Sequence, residues 1–328
     1  MRQVTLLEPG RFVAEDRPPT EPPPGHALVR TRRVGVCGTD LHAFAGRQPF
    51  FSYPRILGHE LGVEVLSLPP GDHGLQPGDR CAVEPYLWCG ACHACRTGKP
   101  NCCERLQVLG VHTDGGMRGR FAVPVEKLHR SDKLTFEQLA LVETLGIGFH
   151  AVERGHVEPG ETVLVVGAGP IGLAVTEFAK AAGGRVRVLD LNPQRRQFVA
   201  DGWGVETLAE ADGKLAEVVF DATGSARAME ASFDRVAHGG RLVFVGIVLD
   251  RIGFADPLFH RREMTVLASR NSAGAFPEII RRIEAGAIDT TPWVTHRLGL
   301  TEVPEQFAEL PRTPGLVKAM VEVGDADA

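Results

Sequence analysis

Short runs of alternating hydrophobic and polar residues dominate the first part of the chain. They occupy residues 27–33, 62–66 and 80–83, and proline- and glycine-rich sequences separate them. Alternation over a few residues is typical of half-buried strands, and proline and glycine favour the turns that join them. Residues 1 to about 147 are therefore predicted to form an all-β unit.

A different pattern begins after Pro159 and Gly160, where short apolar runs alternate with segments of helical periodicity. The apolar runs cover residues 163–167, 186–190, 217–221, 241–246 and 265–268. Helical periodicity covers residues 170–182 and 275–285, and further helices are predicted from Pro193 and Ser225. Strands that alternate with helices predict right-handed crossovers and a parallel sheet. The last part of the chain, about forty residues, is irregular and contains proline, and we expect it to fold back onto the first unit.

Length and composition limit the class of protein. At 328 residues the chain is long enough for two hydrophobic cores. Its formal net charge of −5 argues against a general nucleic-acid binder. No run approaches the roughly 18 apolar residues of a membrane span, and the N-terminal residues lack an apolar signal core. Seven cysteines with metal-like spacing fit a reducing compartment. We therefore expect a cytoplasmic protein that binds neither nucleic acid nor a membrane.

Four cysteines lie in one short segment with the spacing C-x2-C-x2-C-x7-C, namely Cys89, Cys92, Cys95 and Cys103. Thiolates this close repel one another unless a metal ion holds them, and four soft ligands at short spacings are typical of a closed structural zinc site. An iron–sulfur cluster is the alternative, but its bacterial motif places the fourth cysteine three residues on, before a proline. The spacing favours zinc. Cys102 is an alternative to Cys103 as the fourth ligand.

A glycine motif follows an apolar run and opens a helical segment. Gly167, Gly169 and Gly172 form G-x-G-x-x-G, which in this context is typical of a dinucleotide site with the pyrophosphate at the helix N-terminus. Asp190 ends the next predicted strand, where a carboxylate accepts hydrogen bonds from the adenosine ribose. Its charge favours NAD over NADP, although Arg195 and Arg196 lie nearby and weaken that preference.

Three further segments carry metal-ligand chemistry: Cys37-Gly-Thr39-Asp40-Leu-His42, Gly58-His59-Glu60 and Glu143. A lone cysteine or His-Glu pair is weak evidence, because a buried histidine is more often a hydrogen-bonded core residue than a ligand. Beside the cysteine segment and the glycine motif, however, mixed thiolate, imidazole and carboxylate groups predict a catalytic zinc that keeps one position open.

These motifs, with Phe220-Asp-Ala-Thr-Gly224 and Ser269-Arg-Asn271, resemble the zinc-dependent medium-chain dehydrogenases/reductases of the alcohol dehydrogenase superfamily. The resemblance covers nearly the whole chain and is closest to the sorbitol, threonine and sugar-acid dehydrogenase branch. It implies an α/β fold: an N-terminal GroES-like β-barrel catalytic domain (residues 1–147) with a structural zinc lobe (89–103), a Rossmann doubly wound NAD-binding domain (148–286), and a C-terminal return to the catalytic domain (287–328).

The resemblance also implies roles for single residues. Cys37, His59 and Glu60 match catalytic zinc ligands, and Glu143 matches a carboxylate that reaches that zinc directly or through water in the polyol branch. Thr39 and His42 match proton-relay positions. The cofactors are then two zinc ions per subunit and NAD. The NAD site is lined by residues in four segments: Gly167, Gly169, Pro170, Ile171 and Gly172; Asp190 and Arg195; Val245, Gly246 and Ile247; Ser269, Arg270 and Asn271.

The implied reaction is oxidation of a secondary alcohol on a polyol or sugar acid by hydride transfer to NAD. Residues 46–55 resemble bacterial dehydrogenases of hexonates such as L-galactonate or L-gulonate, and Arg47 is a candidate partner for the substrate carboxylate, with a solvated surface arginine as the alternative. Other candidate functions are an L-threonine 3-dehydrogenase, a general alcohol dehydrogenase, a metal-independent quinone reductase-like enzyme, and a non-enzymatic zinc or iron–sulfur interaction protein. We expect a homodimer or homotetramer.

Overall fold

The computed structural model describes residues 1–18, 21–49 and 51–327. The chain forms two compact units, one made of Met1–Glu143 and Phe276–Ala328 and the other of Thr144–Ala275. Among the described residues, no helix combines the length and the apolar character that crossing a bilayer requires.

The first unit is built mainly of short strands, as the alternating pattern predicts. Up to residue 130 its strands are β1 (Arg2–Glu8), β2 (Arg11–Asp16), β3 (His26–Gly35), β4 (Glu60–Ser67), β5 (Arg80–Val83), β6 (Tyr86–Leu87), β7 (Gln107–Val108), β8 (Arg120–Pro124) and β9 (Leu128–Arg130). Two short helices, α1 (Gly38–Phe44) and α2 (His93–Arg96), and 3₁₀ turns at Pro100–Cys102 and Val125–Lys127 lie between these strands.

A long helix, α3 (Phe136–Gly155), connects the first unit to the second. The expectation of an all-β unit up to about residue 147 is wrong over this helix. Its Leu139, Ala140, Leu141, Val142 and Leu145 are all fully buried. Consecutive buried residues on several faces leave no amphipathic period, so the segment lacks the pattern by which a surface helix is recognised.

The second unit contains a parallel sheet flanked by helices. Its elements are β10 (Thr162–Val166), α4 (Pro170–Ala181), β11 (Arg185–Leu189), α5 (Pro193–Trp203), β12 (Glu206–Leu208), β13 (Ala216–Asp221), α6 (Ala226–Ser232), β14 (Val236–Phe244), α7 (Asp256–Arg261) and β15 (Thr265–Ala268). Within the described residues the strand order is β12-β11-β10-β13-β14-β15, and all pairs are parallel. This order is that of the dinucleotide-binding fold, with the chain reversing direction across the sheet beside β10. The predicted doubly wound sheet is confirmed.

The last segment returns to the first unit through α8 (Phe276–Glu284), β16 (Val294–Gly299), α9 (Val303–Gln306) and β17 (Lys318–Glu322). β17 pairs antiparallel with β3 and parallel with β16. The expectation of irregular backbone is therefore wrong over these two strands. In β17 four consecutive residues are buried, so the strand lacks the alternation that identifies a half-buried strand.

Candidate metal and cofactor sites

The four cysteines predicted as structural ligands converge within the first unit, and we call residues 89–103 the four-cysteine lobe. The Sγ atoms of Cys89, Cys92, Cys95 and Cys103 lie within 4.8 Å of one another. Three of the S–S distances are 3.5, 3.8 and 3.5 Å. Four sulfurs at about 2.3 Å from a tetrahedral zinc would be roughly 3.8 Å apart, so the donor set fits a closed zinc site.

Cys103, and not Cys102, is the fourth member of this cluster. Cys102 is exposed, whereas Cys103 is buried. The backbone N–H groups of Cys89 and Arg105 each donate to Cys103 Sγ at 3.3 Å. Backbone N–H groups of Ala91 and Cys92 lower the pKa of Cys89 to about 5. Donors of this kind stabilise thiolates, which are the form that binds metal.

A second cluster, the three-donor group, brings together Cys37, His59 and Glu60, whose ligand atoms lie within 4.8 Å of one another. Cys37 directly precedes α1, and Glu60 opens β4, where it pairs with Gly35 of β3. A Cβ atom on Gly35 would lie 2.0 Å from Glu60 Oε2, so only glycine lets the carboxylate reach this position. Three protein donors leave a tetrahedral metal one open position, as a catalytic zinc requires.

Buried negative groups surround the three-donor group. Asp40 is fully buried and accepts a hydrogen bond from the Cys37 backbone N–H at 2.9 Å. His59 Nδ1 faces Asp40 Oδ1 at 3.8 Å, and neither atom has a hydrogen-bond partner among the described residues. Burial opposes protonation of His59, but Asp40, Cys37 and Glu143 outweigh it and raise its pKa well above the ordinary value. The same negative potential favours a divalent cation at this position.

Lys318, at the start of β17, supplies the nearest buried positive charge. Its Nζ donates to both carboxylate oxygens of Glu60 at 2.6 Å. The side chain of Lys318 is only 2% exposed. Burial works against its charge, yet Glu60 and Cys37 raise the pKa of its amine above the ordinary value. Lys318 therefore offsets part of the negative charge of the ligand set, and our sequence analysis missed it.

Glu143, on α3, lies outside the three-donor group as defined by its 4.8 Å separations. Its Oε1 accepts a hydrogen bond from the hydroxyl of Tyr86 on β6, and both side chains are buried. Burial raises the pKa of the Glu143 carboxyl. Burial, together with the charge of Glu143, also raises the pKa of Tyr86 well above its ordinary value. Sequence analysis singled out Glu143 but missed both Tyr86 and the structural role of Asp40.

The two residues predicted as a proton relay, Thr39 and His42, lie three positions apart on α1, a spacing that places them on one helix face. Thr39 is half-buried and His42 is exposed. His42 lines a cavity of about 690 Å³ together with Arg47 and Arg312. Partial desolvation of the ring and the charge of Arg47 lower the pKa of His42, which favours the neutral imidazole, the form that can accept a proton.

In the second unit, the glycine motif forms the turn from β10 into α4. Gly167 has φ of +98°, which favours glycine. A Cβ on Gly172 would lie 1.8 Å from the Gly167 carbonyl oxygen, whereas a Cβ on Gly169 would meet only Arg195 Nη1, at 4.0 Å. The turn is thus tight on the sheet side and open at Gly169, which fits close approach of a pyrophosphate. Pro170 and Ile171 begin α4 behind this turn.

Asp190 follows β11 beside the same turn. Its Oδ2 accepts from the Ala168 backbone N–H at 2.6 Å, and its Oδ1 accepts from the Asn192 backbone N–H at 2.7 Å. Each carboxylate oxygen can accept a further hydrogen bond, so the group is oriented while it remains able to bind a hydroxyl. Arg195 lies on α5, which Asn192 caps.

The other predicted cofactor residues follow the carboxyl ends of β14 and β15. The backbone N–H groups of Val245 and Gly246 donate to the backbone carbonyl oxygen of Asp221. Ile247 is 63% exposed. Ser269 Oγ and Asn271 Nδ2 are buried atoms without a hydrogen-bond partner among the described residues. Arg270 lies between them. Because the strands are parallel, these residues share a sheet edge with Gly167 and Asp190, and the unsatisfied atoms fit a polar ligand there.

Comparison with known families agrees with this geometry. Residues 23–133 match the family described as alcohol dehydrogenase GroES-like domain. Residues 170–285 match the family described as zinc-binding dehydrogenase.

Individual relatives cover almost the whole chain. It is 40% identical to L-galactonate-5-dehydrogenase of Escherichia coli strain K12, over 94% of each protein. It is 32% identical to D-altritol 5-dehydrogenase of Agrobacterium fabrum strain C58, over 97% of this chain and 98% of that protein. The fold is similar to the crystal structure of a short chain alcohol dehydrogenase (rspB) from E. coli CFT073, which was solved in complex with NADH. The TM-score is 0.92 at 25% sequence identity, and the match covers 98% of this chain and 99% of that one.

Proposed function

Because the chain belongs to the zinc-binding alcohol dehydrogenase family, we propose that it oxidises a secondary alcohol of a sugar acid or polyol and reduces NAD. The predicted family, the α/β fold with a GroES-like domain and the dehydrogenase activity are confirmed. The observation that carries the proposal is the three-donor group in a chain 40% identical to an L-galactonate dehydrogenase. The non-enzymatic alternative is excluded by the family.

Zinc and NAD are the cofactors of this enzyme, as predicted. When bound, zinc supplies Lewis acidity toward the substrate oxygen and NAD accepts the hydride. We assign one zinc to Cys37, His59 and Glu60, with Glu143 beside them, and the other to Cys89, Cys92, Cys95 and Cys103. The residues that follow β10, β11, β14 and β15 are our proposed NAD site, and the charge of Asp190 favours NAD over NADP.

The chain's own groups handle the substrate proton. The hydroxyl of Thr39 is the first acceptor in this proposal, and it passes the proton to His42 on the same face of α1. The lowered pKa of His42 keeps the imidazole neutral, so it can receive the proton and release it to solvent.

Arg47 is our proposed partner for a substrate carboxylate. It lines one cavity with His42 and Arg312, so two guanidinium groups lie beside the end of the proton relay. A sugar acid carries the complementary negative charge, and the L-galactonate relative acts on such a substrate. A neutral polyol gains nothing from this contact.

Domain roles, assembly and location complete the proposal. We propose that residues 1–147 and 287–328 carry catalysis and residues 148–286 bind NAD. In the part of the chain that the structure describes, β15 is an edge strand of the parallel sheet, and its Val266 is exposed. Such an edge suits pairing with a second copy, so our proposed assembly is a homodimer or a homotetramer built from such dimers. Seven cysteines without a disulfide favour the cytoplasm.

A substrate panel tests the function. L-galactonate, L-gulonate, D-altritol, L-threonine and ethanol are each offered with NAD and with NADP, and NADH formation is followed by absorbance while zinc is counted by elemental analysis. We expect two zinc ions per chain and the highest kcat/KM for a hexonate with NAD. Turnover of threonine or ethanol in preference to every sugar acid and polyol would refute the substrate class.

The Arg47→Ala variant separates the carboxylate contact from the rest of the site. A hydrogen bond to a charged group contributes about 1.5–3 kcal/mol, so KM for the hexonate should rise roughly tenfold or more. The neutral polyol D-altritol serves as the matched control substrate, and its KM should stay unchanged. An equal change in KM for both substrates would show that Arg47 does not bind the substrate carboxylate.

A further inference from the structure

Tyr86 is a buried residue that precedes one metal-ligand cluster in the chain and bonds to a carboxylate beside the other. It lies on β6, three residues before Cys89, and pairs with Val108 of β7 across the base of the four-cysteine lobe. Its side chain is 1% exposed, and its hydroxyl donates to Glu143 Oε1. The phenol therefore connects a strand that leads into the lobe with a carboxylate beside the three-donor group.

The hydrogen bond restricts what Glu143 can do. Glu143 is buried, and neither of its carboxylate oxygens lies within 4.8 Å of all three ligand atoms of the three-donor group. The whole carboxylate would have to shift to become a fourth metal ligand, and that shift would stretch or break the bond that Oε1 accepts from Tyr86. A hydrogen bond to a charged group is stronger than one between neutral groups, and a buried phenol left without its acceptor adds a desolvation cost. The buried amine of Lys318 donates to both oxygens of Glu60, whereas the hydrogen bond to the Glu143 carboxylate comes from Tyr86.

We propose that Tyr86 is a positioning residue that holds Glu143 outside the three-donor group and so keeps the fourth metal position open for the substrate oxygen. Glu143 then acts across an intervening water or substrate hydroxyl, and it does not close the site. The inference rests on the proposed zinc-dependent function, and it adds a role for the lobe, which fixes the strand that carries Tyr86.

Cobalt spectroscopy tests the position of Glu143 without relying on turnover. Cobalt replaces zinc at the three-donor group while the lobe keeps zinc, and the visible ligand-field bands report the number and type of ligands. In Tyr86→Phe, Glu143 is released to bind the metal, so the cobalt bands should change in position and intensity, and release of the metal to a chelator should slow. The kcat should fall about tenfold, which corresponds to a lost hydrogen bond of about 1.4 kcal/mol.

Two further variants show whether Tyr86 acts through Glu143. In a Glu143→Gln background the Tyr86→Phe change should leave the cobalt bands unaltered, because the neutral amide is a poor ligand. Tyr53→Phe is the matched control, since Tyr53 is the other of the two tyrosines and its hydroxyl donates to the Ala43 carbonyl. An unchanged spectrum in Tyr86→Phe, or the same change in the Glu143→Gln background, would overturn the inference.

A second measurement keeps Tyr86 in place. In Tyr53→Phe the remaining tyrosine is Tyr86, and ultraviolet resonance Raman bands then report hydrogen-bond donation by this phenol alone. Adding Glu143→Gln should shift those bands toward a weaker hydrogen bond, and identical spectra would again overturn the inference. Failure of the proposed function is distinct, because it would appear as wild-type protein that binds no metal at the three-donor group or oxidises no alcohol.

Discussion

The four-cysteine lobe and the three-donor group collect their ligands in different ways. All four thiols of the lobe come from fifteen consecutive residues, 89–103, and backbone N–H groups support them. The three-donor group takes Cys37 from the position before α1, His59 from the position before β4 and Glu60 from the first position of β4. It also depends on Lys318, which is 258 residues from Glu60 in the chain.

The two clusters also differ in the charged groups around them. The lobe has four donors of one type and no buried carboxylate among them, so it completes a tetrahedral shell by itself. The three-donor group lies among the buried groups Asp40, Glu143 and Lys318. A closed shell suits stability, whereas an incomplete shell with tuned charges suits chemistry. The comparison teaches that local spacing can build a structural site but that a reactive site needs distant groups.

The largest expected effect is that of Cys37→Ala. Removing this thiol should release one of two zinc ions and lower kcat/KM on the order of ten-thousandfold, because a metal ion contributes several kcal/mol to the transition state. Elemental analysis and steady-state kinetics measure both effects. Cys81→Ala, which removes a buried cysteine outside both clusters, should keep two zinc ions. If Cys37→Ala kept both zinc ions and full activity, the three-donor group would not be the catalytic metal site.

Cys92→Ser should show the opposite profile. Loss of a lobe ligand removes the structural metal, and the free energy of unfolding should fall by about 4–5 kcal/mol, since structural metal binding contributes to folding. Chemical denaturation measures the change. Cys102→Ser is the matched control because Cys102 is the exposed neighbour of Cys103, and it should alter neither zinc content nor stability. A lobe variant as stable as the control would contradict a structural role.

Lys318→Met tests the charge balance of the three-donor group. Removing one partner of a buried ion pair leaves Glu60 uncompensated, so the metal-free protein should lose about 3 kcal/mol of unfolding free energy. Zinc restores positive charge at the same place, so the loss should be smaller in the zinc-loaded protein. Unfolding curves with and without zinc give the difference. Equal losses in both forms would show that Lys318 does not balance the ligand charge.

The smallest effect is expected for Asp40→Asn. Asp40 faces His59 Nδ1, and removing an outer partner of a ligating histidine typically costs 10–100-fold in metal affinity. Competition with a chromophoric chelator measures the affinity of the three-donor group. Asp72→Asn, at an exposed carboxylate of the same unit, is the control. Unchanged zinc affinity in Asp40→Asn would show that Asp40 does not contribute to metal binding by the three-donor group.

Local patterns were sufficient for several features. The strand-glycine-helix motif predicted the turn after β10, and the apolar runs that alternate with helical segments predicted the parallel sheet of the second unit. The structure supplied the strand order of that sheet. The helix α3 was missed because its residues are buried on several sides, and β17 was missed because its residues lack alternation. Hydrophobic periodicity identifies helices and strands that have one solvent-exposed face and one buried face, and it fails for elements that are buried on all sides.

The sequence by itself determined the four-cysteine lobe and the glycine turn, because in both cases the interacting groups are near neighbours in the chain. Only the tertiary structure decided that Cys103 and not Cys102 faces inward, that Lys318 pairs with Glu60, and that Tyr86 bonds to Glu143. The physical reason is that buried charges and hydrogen-bond donors are matched by proximity in space, and strand pairing brings together residues whose separation along the chain carries no local pattern.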